Sequence, residues 1–508
     1  MAIQQGNRWQ LQTLPACIED YVPQDAPVRV YDAFVDNLDF GELGIECNPG
    51  KEGNPCYDPR AMLKLLTYGY SYGIRSSRRL EREVNYNLSF IWLMGGLKPD
   101  FKTIAEFRRK NKGALQRVLR ECVRLCIRLD LITGNILFVD GCKIRANASI
   151  QNSWSKEQCE KALSRIDKKI KQIIAEAEEI DEAEEGQPSL VQVNKELQNA
   201  RALKEQVIGI MKALRQEERA SLNTVDRECT VILSRQGTHA GHNAQVVVDD
   251  KNGLIVSSDV APTNNDLGQF SLQIAKANAE MGKKCQVGVA DSGYARVSDI
   301  AKIIPDQIQV IVPTQPIASK KGIGKFDKRS FAYDPSKGCY TCPEGHILVR
   351  CGRTRRNNGY RYKFTDKNPC PACQQYGRCT KAKCGRTIER RDDEALRDCL
   401  EKEYALSENQ AIYKRRQEKI ELVFGHIKRN LGVVSFLLRG LKGVRAEMSL
   451  LSLCFNLRRM ITMLGVAGLM QKMREGAGNI ARFFSSSNGQ PTTGTLLTIP
   501  LPTPLCLD

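Results

Sequence analysis

Apolar residues recur at helical spacing from Tyr21 to about Asp130. Asp58-Pro59 precedes Met62, Leu63, Leu65 and Leu66, and a proline there suits a helix start. A second run, Arg75 to Asn85, is basic at Arg75, Arg78, Arg79 and Arg82; Pro99-Asp100 breaks the chain, and Thr103 to Leu129 returns to helix. The period then changes. Ile136-Leu137-Phe138-Val139 reads as a short buried strand ending at Asp140-Gly141. Ser155 to Glu218 is a long charged helical stretch broken at Gly186-Gln187-Pro188-Ser189, the pattern of an inserted helical hairpin.

Strand patterns resume with Cys229 to Leu233, Asn243 to Asp249 and Leu254 to Ser258, an expected antiparallel meander. A helix is expected from Asp266 to Met281. Cys285 to Ala290 follows as a strand ending at Asp291, and Ile308 to Val312 as another. Helix recurs from Ile412 to Leu431. From Ser485 onward the chain is rich in Ser, Thr, Gly and Pro and nearly uncharged, which reads as a disordered tail.

The 508 residues suit roughly three domains, and 42% hydrophobic with 26% charged residues is ordinary globular composition. Lys+Arg 76 against Asp+Glu 58 gives +18, a balance that favours phosphate-rich partners. The first thirty residues show no signal-peptide pattern, and the apolar stretch Ser449 to Met470 is interrupted by Arg458 and Arg459. A soluble, cytoplasmic protein with no membrane partner is the expectation. There, 19 cysteines read as free thiols or metal ligands, not as a disulfide framework.

Asp140 and Asp291 each end an apolar strand and are followed closely by Gly, where mixed α/β sheets commonly place catalytic groups. Glu421 lies in a basic helix at the edge of the face formed by Ile420, Val423, Phe424, Ile427 and Leu431. Lys428 is displaced from it by only about 20° around the helix, so both project the same way. Glu418, one turn earlier, is its rival.

Three ordered segments then carry a resemblance. Phe138-Val139-Asp140-Gly141-Cys142-Lys143-Ile144-Arg145-Ala146-Asn147-Ala148 resembles the first-aspartate motif of bacterial insertion-sequence transposases, of the Insertion Sequence 1182 family in the wider Insertion Sequence 4-like DDE group. Ala290-Asp291-Ser292-Gly293-Tyr294 resembles the second-aspartate motif. Glu421 to Gly432 resembles the glutamate motif, and Tyr413, Arg416, Glu421 and Lys428 approximate its Tyr-Arg-Glu-Lys signature with one extra residue between Arg and Glu. Asp58 to Asn111 resembles the N-terminal domain of the same proteins.

The resemblance implies an α/β fold: an RNase H-like mixed sheet flanked by helices, with an N-terminal helical domain, an inserted hairpin and an inserted zinc-ribbon-like segment. The expected divisions are a helical DNA-binding domain over 1–130, the core over 131–154, 221–325 and 396–484, the hairpin over 155–220, the cysteine-rich insertion over 326–395, and the tail over 485–508. Asp140, Asp291 and Glu421 would be the catalytic carboxylates. As oxygen donors they would suit Mg²⁺ or Mn²⁺. Tyr413, Arg416, Lys428 and Arg429, with Arg78, Arg79, Arg108 and Arg109 of the N-terminal domain, would contact DNA. The implied partners are double-stranded DNA, both element ends and target, and a second copy of the chain in the DNA complex.

Seven cysteines fall between 339 and 384, including two C-x2-C pairs, Cys339/Cys342 and Cys370/Cys373, a zinc-ribbon signal. The spacing alone leaves the ligand set open. The resemblance selects Cys342, Cys370, Cys373 and Cys379 for a structural Zn²⁺, with Cys339 and Cys384 as alternates. The functional expectation is a DDE transposase. Its rivals are a catalytically silent transposase-derived DNA-binding protein and a metal-dependent nuclease that does not join strands.

Overall fold

The computed structural model describes residues 17–45, 56–183, 189–234, 237–314, 326–354, 358–365 and 368–483; side chains at 176–183, 189–194, 234 and 476–483 are not described. The hairpin tip at 184–188 and the expected tail both lie outside the described residues.

The N-terminal region is helical: α1 Val28–Asp36, α2 Pro59–Ser71, α3 Ser77–Tyr86, α4 Leu88–Leu93, α5 Phe101–Lys110 and α6 Lys112–Arg128. Asp58 caps α2 as its sequence suggests, accepting the Arg60 N–H at 2.8 Å beside Pro59. The helical stretch expected from Thr103 to Leu129 is divided at Asn111, where φ −98° and ψ 26° depart from the helical region.

β1 Ile136–Arg145 follows, then β2 Ser153–Ser155, the hairpin α7 Lys156–Ala183 and α8 Ser189–Gln216, and β3 Ser221–Asn223, which pairs with β2 at the hairpin's root. Cys159, Ile166, Val207 and Leu214 close a separate apolar core between α7 and α8. β4 Thr230–Ser234, β5 Gly237–Asp249 and β6 Ile255–Ala261 form the expected meander. α9 Phe270–Met281, β7 Val287–Ala290, the short α10 Val297–Ile300 and β8 Gln309–Ile311 complete this part.

The central sheet runs β4-β5-β1-β7-β8, with β6 also on β5. β1, β7 and β8 are parallel, whereas β5 is antiparallel to both β1 and β6. Next comes a five-stranded antiparallel sheet: β9 Ala332–Asp334, β10 Cys339–Thr341, β11 Ile347–Thr354, β12 Gly359–Lys363 and β13 Ile388–Arg391. α11 Glu394–Ala405 leads into α12 Ser407–Gly425, which continues as a π turn over His426–Asn430. α13 spans Gly440–Phe483 with its helical backbone interrupted at Gly465, φ 69°.

The stretch Gly440–Glu475 is long and apolar enough to cross a membrane by length and composition. Here it packs against α2, α6 and β6, burying Met448, Leu450, Leu451, Leu453 and Leu457 completely. It is the core helix expected from its interrupting arginines. Asn456 fastens it to the sheet, donating to Ile255 O at 2.8 Å and accepting from Ile255 N at 2.9 Å.

A buried ion pair joins the helical region to α13. Arg75 donates to Glu447 Oε1 at 3.1 Å and to Ser435 O at 2.9 Å, while Glu447 Oε2 accepts Leu437 and Leu438 N–H at 2.8 and 2.9 Å. Burial pushes the Glu447 carboxyl upward, opposed by those N–H groups and by Arg75. Replacing Glu447 by Ala strands a buried guanidinium and two buried N–H groups. The expected loss is about 3–5 kcal/mol in urea unfolding, whereas a loss under about 1 kcal/mol would show that the pair does not hold the regions together.

Candidate active site

β1 and β7 bring the two aspartates together. Val139 pairs with Ala290 at the last parallel step, so Asp140 and Asp291 follow side by side where β7 ends. Asp291 does terminate its strand, caps the next turn and accepts Gly293 N–H at 2.8 Å. Asp140 does not end β1. The strand runs on to Arg145 because β5 continues to pair with it as far as Arg145↔Gly241. The pairing with β7, not the strand, stops at the site.

The Asp140 carboxyl is pushed up to about 6, chiefly by burial; Asp291 and Asp266 add to this, and Arg416 and the Gly141 N–H oppose it. Arg416 of α12 donates to Asp140 Oδ2 at 2.9 Å, and Gly141 N–H donates to Oδ1 at 2.7 Å. Tyr413, one turn earlier on α12, is half-buried beside Arg416, its hydroxyl pushed up by burial and by the charges of Asp291 and Asp140. Further along, Lys428 lies against the Cys142 thiol, two residues on from Asp140 in β1. Tyr413, Arg416 and Lys428 thus line up over the face of β1 that carries Asp140. Arg429 is exposed.

Glu421 is not drawn into this group. It is exposed on the flank of α12 and accepts from Gln417 Nε2 at 2.9 Å. Its rival Glu418 is exposed as well. Among the described residues no three His, Cys, Asp or Glu side chains stand in metal-holding geometry. Two half-buried, mutually repelling carboxylates, one with a raised pKa, nevertheless have the donor chemistry that suits a hard divalent cation.

In the N-terminal region Arg78, Arg79 and Arg109 are exposed, Arg78 over the Phe101 ring and Arg109 paired with Glu106 at 2.6 Å. Arg108 differs from expectation. It is 8% exposed and donates to Tyr70 Oη at 2.8 Å and Arg75 O at 2.9 Å, which spends its guanidinium inside the fold and takes it out of reach of a phosphate.

In the cysteine-rich sheet, Cys342, Cys370, Cys373 and Cys379 line one cavity with Phe331 and His346. Three of the sulfurs accept backbone N–H groups: Cys342 from His346 at 3.3 Å, Cys373 from Gln375 at 3.4 Å and Cys370 from Arg386 at 3.4 Å. Four sulfurs with N–H groups aimed at three of them fit a thiolate-bound cation in their donor chemistry, although the sulfurs do not stand in metal-holding geometry. The alternates do not line that cavity: Cys339 is buried in β10 and Cys384 is exposed.

Sequence reasoning missed Asp266, Asn243, Gln245 and Lys143. Asp266 precedes α9 instead of starting it, and accepts from Lys143 Nζ at 3.0 Å, Asn243 Nδ2 at 2.9 Å and Gln245 Nε2 at 2.7 Å. Asn243 and Gln245, two polar residues spaced two apart in a run that is otherwise largely apolar, are the available signal. His242 of β5 is buried against Asp226 at 2.9 Å, a structural pair.

A family model described as a transposase domain of unknown function, DUF772, matches residues 16–110, and one described as a transposase DDE domain matches residues 341–461. The two matches indicate a DDE transposase, a class that acts on DNA and normally uses a divalent metal. No curated protein and no solved structure matches the chain.

Proposed function

We propose that this is a transposase of the Insertion Sequence 1182 type, which binds the terminal inverted repeats of its element and performs metal-dependent strand cleavage and strand transfer. The observation that carries this is the Val139–Ala290 register, which sets Asp140 beside Asp291 under Arg416 and Tyr413. The strand order β6-β5-β1-β7-β8, in which β5 alone runs against the other four, supports an RNase H-like core and with it the same reading.

When bound, divalent cations would supply an activated water or 3′-hydroxyl and a stabilised leaving oxygen for in-line phosphoryl displacement. Asp140 and Asp291 hold them. Glu421 is the third carboxylate, on the helix that already reaches Asp140, and joins them by leaving Gln417. Arg416 neutralises Asp140 in the DNA-free protein and turns to an incoming phosphate, with Lys428 and Arg429 farther along the strand. Arg78, Arg79 and Arg109 add backbone contacts from the helical region. Two copies pair the two element ends. Cys342, Cys370, Cys373 and Cys379 hold a structural Zn²⁺.

The withdrawn position of Glu421 favours a second reading, a DNA-binding relic without chemistry. Labelled element-end DNA with Mg²⁺ separates the two. Cleavage and joining by the wild-type protein, lost in Asp291→Ala, is the expected result; tight end binding with no Mg²⁺-dependent chemistry would leave the relic.

A further inference from the structure

Behind the strand that carries Asp140 lies a buried polar chain that the chemistry above does not use. Side chains alternate along β1, so Asp140 faces α12 whereas position 141 faces the opposite side. There Gly141 stands across from Gln245 of β5. A Cβ at 141 would come within 2.4 Å of Gln245 Nε2, 2.7 Å of Asp266 Oδ1 and 3.1 Å of Tyr294 Oη. The space a side chain would take is filled by this cluster, which accounts for glycine after the aspartate.

Gln245 is the joint of the cluster. It is completely buried, and both ends of its amide are engaged. Nε2 donates to Asp266 Oδ1 at 2.7 Å and to Asn243 Oδ1 at 2.9 Å; Oε1 accepts from the Tyr294 hydroxyl. Asp266 is in turn clamped by Lys143, three residues after Asp140, at 3.0 and 3.1 Å. Tyr294 is also fully buried, three residues after Asp291, and its N–H donates to Asp291 O at 3.1 Å. One amide therefore connects the Asp291 turn to the Asp140 strand.

We propose that Gln245 is a positioning residue that fixes the Asp291 carboxylate relative to Asp140 through the chain Tyr294–Gln245–Asp266–Lys143. This rests on the assignment of those two aspartates to the site. An amide suits the position because it alone offers a donor to Asp266 and an acceptor to Tyr294. Glu would set a second carboxylate against Asp266, and Met would break both links.

The test uses full-length Tyr294→Phe, which removes one hydroxyl, with Gln245→Met and the double variant. Mn²⁺ binding is followed by electron paramagnetic resonance on DNA-free protein, alongside end-DNA affinity and the cleavage rate at saturating Mg²⁺. Each single variant is expected to bind end DNA within about twofold of wild type. Each should hold Mn²⁺ and cleave roughly 10- to 100-fold less well, the size usual for groups that orient metal ligands. The double variant should be no worse than Gln245→Met, because Tyr294 acts through Gln245. Wild-type Mn²⁺ affinity and rate in Tyr294→Phe, or additive losses in the double variant, would overturn the positioning role alone. A wild-type protein that neither binds Mn²⁺ nor cleaves would overturn the assignment of the two aspartates along with it.

Discussion

Asp140→Asn is expected to abolish Mg²⁺-dependent strand cleavage and, in the same protein, to raise metal-free stability at pH 8. The first effect follows from removing an anionic oxygen donor from a site with two juxtaposed carboxylates, and a loss of more than about a thousandfold is expected. The second follows from burial. The carboxyl lies at about 6 in the fold against an ordinary 3.8, so folded protein binds the proton more tightly than unfolded chain does. The stabilisation from this group is complete below about pH 4 and is lost as pH rises through 6. By pH 8 the ionised carboxylate costs on the order of 2–3 kcal/mol, even with Arg416 alongside. Asparagine never bears that charge. Melting in EDTA should therefore show the variant above wild type at pH 8 and the gap closing towards pH 4. A variant less stable than wild type at pH 8 would mean that the Arg416 pair outweighs the desolvation. Retained cleavage would remove Asp140 from the chemistry.

The sequence was most informative where one residue had one strong local role. Asp58-Pro59 started its helix, the apolar strands lay near where their composition put them, and Arg458-Arg459 marked a core helix. It was least informative where a partner distant in sequence decides. β1 runs past Asp140 because β5 continues beside it, and no pattern within β1 encodes that. Arg108 sits in a run of basic residues that reads as a solvated face, yet it lies one turn from buried Ile104 and turns inward to Tyr70. The pair Asp140 and Asp291 could be guessed from two similar motifs. The chain from Tyr294 to Lys143 could not, since it gathers residues from β1, β5, a loop and a turn. Glu421 shows the same limit from the other side. Its helix was legible, but the orientation of a carboxylate on its flank depends on how that helix packs, and here it turns to Gln417.

The largest stability effect is expected from the cysteine cavity. Without a bound ion, burial pushes the Cys379 thiol up; Arg386 opposes this, and Cys370, Cys342 and Cys373 add to it. Four sulfurs gathered around one cavity are a poor arrangement in isolation and a good one around a cation that takes their charge. The sheet they join has a small apolar centre, chiefly Phe331, Tyr340, Leu348, Tyr362 and Ile388. Such a core gains little stability alone, so a metal crosslink between the β10–β11 turn and the loop before β13 would dominate. Purified protein should contain one zinc per chain by elemental analysis. Cys373→Ser should lose it and expose residues 326–391 to proteolysis, while Cys384→Ser should keep both zinc and resistance. Zinc loss should take up protons, so affinity should fall steeply below neutral pH. Full zinc content in Cys373→Ser would place the ion elsewhere. A zinc-free protein whose 326–391 segment resists protease would show that the aromatic core suffices without the metal.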